Sequence, residues 1–190
     1  MEALPGACLS ASGGATSPDG TGGFARISCP TAQRCYVVGT GRRLGGLWAT
    51  GDGGQHWVKR RLPEGGGTAL DFPTALAGWS SGDFVVYKTT DGGRNWQAHG
   101  PFADAGIRVL ATSFVDSSRG WVCGEYGTMV RTADGGATWQ WLETGSNADL
   151  SGIVFVDAMH GWASGTGGEY PNTRDVLLRT TDGGVTWQEL

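Results

Sequence analysis

Long apolar runs are missing from this sequence. None approaches the ~20 residues that a membrane-spanning helix needs. Charge is also sparse: Asp, Glu, Lys and Arg make up 17% of the chain, against about a quarter in ordinary globular proteins. The formal net charge of −4 gives no bulk attraction for nucleic acid or for an anionic membrane. No segment has a convincing helical period. The opening MEALPGACLSASGGATSPDGTGG has neither a basic start nor a continuous apolar stretch, so it does not read as a secretory signal. It reads as a flexible Gly/Ser-rich lead-in over residues 1–23. No cofactor is expected.

What the chain has in excess is glycine, 35 residues, together with nine tryptophans. Regular apolar segments between the glycines argue against disorder, so the glycine reads as turn punctuation. An octamer recurs four times: TGDGGQHW (50–57), TTDGGRNW (89–96), TADGGATW (132–139) and TTDGGVTW (180–187). A second motif keeps step with it, as CYVVG (35–39), GWSSG (78–82), GWVCG (120–124) and GWASG (161–165). Seven residues before each of Tyr36, Trp79, Trp121 and Trp162 stands Cys29, Phe72, Phe114 or Phe155. Each unit therefore carries four short strands with Gly or Asp turns between them. Four strands in a unit of about 40–45 residues form the blade of a β-propeller. The expectation is an all-β propeller over residues 24–190, with blades near 24–63, 64–103, 104–145 and 146–190. A β-sandwich, the competing architecture, has no need to repeat the same landmarks in every unit.

Within the octamer, Asp-Gly-Gly is a hairpin signal, because glycine supplies the positive φ of a tight turn. The Asp accepts hydrogen bonds from backbone N–H groups further along, and the Thr two positions before it ties the other arm. Thr50, Asp52 and Trp57, Thr89, Asp91 and Trp96, Thr132, Asp134 and Trp139, and Thr180, Asp182 and Trp187 are thus read as four structural staples. Catalysis asks for carboxylates in distinct environments, not for one equivalent carboxylate per unit. Calcium asks for several carboxylate ligands at alternate positions, and each octamer offers one. No catalytic residue and no metal ligand is expected.

These octamers resemble the Asp-box (BNR) repeat of sialidases, some glycosidases, sortilin-type receptors and photosystem II assembly/stability factors. The combined pattern FVDSSRGWVCGEYGTMVRTADGGATW (114–139) is closest to the photosystem II assembly/stability factor type. That resemblance implies a non-enzymatic scaffold that binds a protein partner, such as a segment of a membrane-protein complex, with a basic patch in the partner surface. The alternative is a glycan-binding or sialidase-like propeller. A sialidase carries an early F/Y-R-I-P segment, to which FARISCP (24–30) is a poor approach. Its Tyr–Glu pair is also unlike Tyr126 and Tyr170, each of which directly follows a Glu, since strand neighbours point to opposite faces.

Cys29 and Cys35 replace the Phe and Gly found in the other three units. They are expected to form a disulfide across a short hairpin, with two small buried thiols as the alternative. The bridge implies a secreted, periplasmic or lumenal compartment. Cys8 and Cys123 are a second pair to consider. In four-stranded blades the Asp boxes lie on one face, and the joins of strands two to three and of blade to blade lie on the other. The variable loops of that second face are the expected binding surface. They hold Arg42, Arg43, Arg60 and Arg61, read as a local basic patch, and the acidic-aromatic pairs Asp83-Phe84, Glu125-Tyr126 and Glu169-Tyr170, with Arg174 beside the last. Four blades are few for an Asp-box propeller. The chain is therefore expected to be a fragment, a closed four-blade ring or a protomer that self-associates to complete a ring.

Overall fold

The computed structural model describes residues 23–40, 45–100, 102, 106–168 and 172–190. Among these residues sixteen strands form four separate antiparallel sheets, each built from four strands consecutive in sequence. The first holds β1 (Phe24–Ser28), β2 (Cys35–Gly39), β3 (Gly46–Thr50) and β4 (Val58–Arg60). The second holds β5 (Ala69–Asp71), β6 (Gly78–Ser81), β7 (Val86–Thr89) and β8 (Gln97–His99). The third holds β9 (Val109–Phe114), β10 (Gly120–Gly124), β11 (Met129–Thr132) and β12 (Gln140–Trp141). The fourth holds β13 (Asp149–Phe155), β14 (Gly161–Gly167), β15 (Arg174–Thr180) and β16 (Gln188–Glu189). This is the expected propeller. Its inner strands touch in the order β1, β5, β9, β13, and no contact of that extent joins β13 back to β1 among the described residues.

Aromatic stacking joins the blades. Tyr36 stacks on Phe72 of the next blade at 3.6 Å, Trp79 on Phe114 at 4.3 Å and Trp121 on Phe155 at 3.6 Å. The Phe has room because the residue opposite it in its own sheet is glycine. A Cβ added at Gly78, Gly120 or Gly161 would lie 2.0–2.6 Å from the Phe ring of the same blade. The indole of the following Asp box closes the stack edge-on, as in Phe72–Trp96 at 6.1 Å and Phe155–Trp187 at 6.0 Å. Edge-on pairs of this kind each contribute about 0.5–1.5 kcal/mol beyond the area they bury.

Polar groups seal the same joints. The Phe72 N–H donates to Ser28 Oγ at 2.9 Å, Phe155 N–H to Ser113 Oγ at 2.9 Å, and Phe114 N–H to Asp71 Oδ2 at 2.6 Å. Asp71 stands where the flanking joints use serine. Burial pushes its carboxyl up to about 7, against the pull of the Phe114 and Phe72 N–H groups. In the first blade the Phe-over-Gly pair is replaced by a Cys29–Cys35 disulfide, as expected, with Cα atoms 4.1 Å apart. Cys29 is exposed, so the alternative of two buried thiols does not hold. Cys123 is a free, buried thiol whose Sγ–H donates to the Leu150 carbonyl at 3.2 Å, and burial pushes its pKa up. Cys8 lies outside the described residues.

Two predictions follow from the joints. Phe155→Ala removes a ring packed on both Trp121 and Trp187 and is expected to cost about 3–5 kcal/mol in denaturant unfolding. For Asp71, the folded-state pKa lies above the unfolded one, so its contribution becomes unfavourable as pH rises from about 4 through 7. Asp71→Ser is therefore expected to stabilise the protein by about 1–3 kcal/mol at pH 8 and to have little effect near pH 4, as read by melting curves at both pH values.

Candidate functional site

The four Asp boxes are built alike, on one face of the arc. In each, the Thr hydroxyl donates to the Asp Oδ1 at 2.7–2.9 Å and accepts the N–H of the second glycine at 2.9–3.0 Å, or 2.8 Å in the third box. The residue before the Trp closes the other side. Thr138 and Thr186 hydroxyls donate to Oδ2 of Asp134 and Asp182, each at 2.6 Å. His56 and Asn95, which depart from the family's Thr, serve the same Oδ2 at 2.7 Å through a ring nitrogen and a side-chain amide. The glycine directly after each Asp (Gly53, Gly92, Gly135 and Gly183) donates its N–H to the strand one-to-two turn of its own blade, at the Gln33, Leu76, Ser118 or Met159 carbonyl. Both kinds of turn therefore share one face.

These contacts hold the carboxylates ionised. The Thr138 and Thr186 hydroxyls lead in lowering Asp134 and Asp182 to about 2. Asp91 also falls to about 2: desolvation opposes the shift, and the Asn95 N–H and side chain outweigh it together with Thr89 and Arg94. The His56 N–H, with Thr50, holds Asp52 well below the usual carboxylate range. Such a group is a turn staple with its lone pairs already committed, not an acid or base poised near neutral pH.

The opposite face carries the loops. A cleft of about 840 Å³ opens there between the first and second blades, with Lys59, Arg61, Leu62 and Thr68 in its lining. Gly39, Gly45, Gly46, Gly66 and Gly67 line it too, which leaves backbone accessible across much of its surface. Lys59 Nζ sits over the Trp48 ring at 5.6 Å. Arg61 is exposed beside the cleft. Arg60 also lines it, but its guanidinium is committed to the Gly92 carbonyl of the second Asp box. That commitment corrects the expectation of Arg60 as part of a free basic patch: it braces a joint. Arg42 and Arg43 lie outside the described residues.

Further along this face Arg108 bridges two blades. It pairs with Asp83 at 3.2 Å and with Glu125 at 3.4 Å, and Asp83, then Glu125, raise its pKa. Arg108 was not among the residues singled out from the sequence. Its only signal there was its place in a blade-to-blade connector opposite two acidic-aromatic pairs. Next to Glu125, Tyr126 is 75% exposed and has a left-handed backbone, φ 57° and ψ 37°. It is the one non-glycine residue with positive φ among the described residues. Strain of this kind costs on the order of 1–3 kcal/mol. Two contacts hold it: the Tyr126 N–H donates to Asp149 Oδ1 at 3.0 Å, and the Gly127 N–H donates to the Ala148 carbonyl at 2.7 Å. The loop thus displays the phenol to solvent. Arg174 pairs with Glu189 on the neighbouring strand of its own blade, and Glu189 raises its pKa. Glu169 and Tyr170 lie outside the described residues.

Four-stranded blades, Asp-box turns on one face and variable loops on the other define a BNR-type β-propeller, here as an arc of four blades. Residues 103–190, which take in β9–β16, match the family described as Photosynthesis system II assembly factor YCF48. Among solved structures the chain is similar to YCF48 bound to D1 peptide, at 18% identity and a TM-score of 0.52, covering 86% of this chain and 80% of that one. It is also similar to the GH74 xyloglucanase from Xanthomonas campestris, at 18% identity and a TM-score of 0.62, covering 88% of this chain but 29% of the enzyme. The GH74 enzyme from Niastella koreensis gives 19% identity and a TM-score of 0.62, covering 87% of this chain and 28% of that one. At these identities the structural similarities establish the fold alone. No curated protein matches the chain.

The depressed Asp-box carboxylates carry a pH prediction. Stability that they contribute is complete above the unfolded-state value near 4 and is lost as pH falls through about 2. The melting temperature is expected to drop across that window. Asp134→Asn/Asp182→Asn is expected to lower stability at pH 7 and to flatten the acid limb, measured by thermal melts from pH 7 to pH 2.

Proposed function

We propose that this chain is a non-enzymatic interaction scaffold of the photosystem II assembly-factor type, which uses its loop face to hold a peptide segment of an assembling membrane-protein complex. The observation that carries this reading is the match of residues 103–190 to the assembly-factor family. The solved YCF48 with a D1 peptide supplies the precedent for the kind of partner. The glycine-lined cleft beside Lys59 and Arg61 suits such a ligand. Exposed backbone can pair with peptide backbone, and the cations can pair with its carboxylates. Arg42 and Arg43 belong in the same loop face by sequence position, and Glu125 and Tyr126 form a second contact region on it. The Cys29–Cys35 disulfide supports an extracytoplasmic compartment, secreted, periplasmic or lumenal. Among the described residues no helix is long and apolar enough to cross a membrane.

A glycan-directed reading draws on the GH74 similarity, where the shared feature is the fold. The loop-face carboxylates Asp83 and Glu125 are engaged by Arg108, which favours the scaffold reading over paired carboxylates free to act on a sugar.

The test is titration of a labelled D1-derived peptide into the full chain. Binding is expected to weaken at least tenfold in Arg42→Ala/Arg43→Ala/Arg61→Ala and to fall with added salt. Arg60 is left intact because it braces a joint. Unchanged affinity in the triple variant would overturn the basic loop face as the partner surface. Release of reducing ends from xyloglucan by the purified chain, abolished by Glu169→Gln, would replace the scaffold reading with the glycan one.

A further inference from the structure

The joint between the first and second blades departs from the other two. In those, the residue before the Asp-box threonine supplies a bracing cation: Lys88 donates to the Gly135 carbonyl at 2.7 Å, and Arg131 to that of Gly183 at 3.3 Å. The first blade has Ala49 at that position, and the bond to the Gly92 carbonyl comes instead from Arg60 on the next strand. The short side chain leaves room. A cavity of about 210 Å³ opens on the Asp-box face, with Tyr36, Ala49 and Val58 in its lining.

Arg34, Arg60 and Arg94 line the same cavity. Arg34 lacks the partner that its counterparts have. Arg119 and His160, at its position in the third and fourth blades, pair with an Asp three places before them at 2.7 Å and 2.9 Å. Arg34 has Thr31 there, which accepts only its backbone N–H, and its guanidinium reaches across the joint to the Ala75 carbonyl at 3.4 Å. Arg94 donates from Nη1 to the Asp91 carbonyl at 2.9 Å. Each guanidinium has five N–H donors, and these carbonyls use few of them. Among the described residues none of the three arginines forms an ion pair. Their tips lie close to the backbone of both Asp boxes: a Cβ at Gly51 would meet Arg34 Nη2 at 3.7 Å, and one at Gly92 would meet Arg60 Nη1 at 3.3 Å. Asp52 is the one carboxylate in the lining. Its Oδ1 accepts the Thr50 hydroxyl and the His56 N–H, and its Oδ2 faces His56 Nδ1 at 2.7 Å. One carboxylate, already hydrogen-bonded, is thus set against three cations.

We propose that this cavity binds a free tetrahedral oxyanion, inorganic phosphate or sulfate. Guanidinium forks match the paired oxygens of such an ion, and the two charges of a dianion balance three arginines less one aspartate. Size selects the ion over a larger ligand. The cavity, about 210 Å³, is smaller than the ~300–1,000 Å³ of sites for drug-sized molecules, so it suits an ion with ordered water and not a peptide segment. Arg34 and Arg60 stand on the first blade and Arg94 on the second, so the bound ion ties the two blades together. The site lies on the face opposite the glycine-lined cleft and needs no peptide partner.

Titration calorimetry of the full chain with sodium phosphate, at an ionic strength held constant with chloride, tests the proposal. One site per chain is expected, with a Kd of about 1 mM or tighter. The melting temperature is expected to rise with phosphate or sulfate and not with chloride. Arg34→Gln/Arg94→Gln is expected to weaken binding about tenfold or more, with near-UV circular dichroism showing the blades intact. If the double variant does not fold, Arg94→Gln decides alone, since that side chain is exposed and bonds only within its own box. O-phosphoserine separates a free ion from a phosphoryl group carried on a larger molecule, and it is expected to bind about tenfold more weakly than phosphate. No saturable binding of phosphate or sulfate up to about 20 mM, an affinity unmoved by the arginine variants, or phosphoserine binding as tightly as phosphate would each overturn the free-ion site.

Discussion

Everything in this structure depends on a flat ring laid on a flat ring. The strand-two aromatic of each of the first three blades meets the Phe of the next blade, and that contact sets how far apart successive sheets stand. The Phe can lie flat only because glycine sits opposite it in the sheet. The second glycines of the later three Asp boxes are bare for the same reason, since the preceding blade presses against them. Much of the chain's glycine is therefore a packing requirement as well as a turn requirement. Few charges are needed, because ring stacking and hydrogen bonds to backbone groups make up most of each joint.

The division of labour between the two faces follows from the same geometry. Turns on the Asp-box face are tied to one another within each blade, so they cannot lengthen without loosening a joint. Loops on the opposite face carry no such duty, and there the structure tolerates a glycine-lined cleft, an inter-blade arginine and a tyrosine with left-handed backbone. Rigidity on one side and variation on the other is how a propeller becomes a platform for recognition.

The sequence made the repeat legible down to the individual staple. Thr132, Asp134 and Trp139 do what their spacing implies, and the Cys29–Cys35 bridge stands where two landmark residues are replaced. The substitutions His56 and Asn95 looked like departures from the motif, yet each supplies the donor that threonine supplies elsewhere. What sequence could not give was the destination of long side chains. Arg60 and Arg61 are adjacent and chemically identical, but strand pleating sends them to different places, one into a joint and the other to solvent. Arg108 was invisible for the related reason that its partners, Asp83 and Glu125, belong to different repeats and meet only when the blades stack.

The disulfide of the first blade has a consequence for how the fold comes apart. In a stacked array each unit owes much of its stability to its neighbours. The first blade has no Phe-over-Gly pair of its own, and the Cys29–Cys35 bond stands in its place. In an oxidising compartment that bond holds β1 to β2 whether or not the next blade is docked; under reducing conditions the same hairpin depends on docking alone. The ease with which this one blade comes apart is thereby a record of the redox state around the chain.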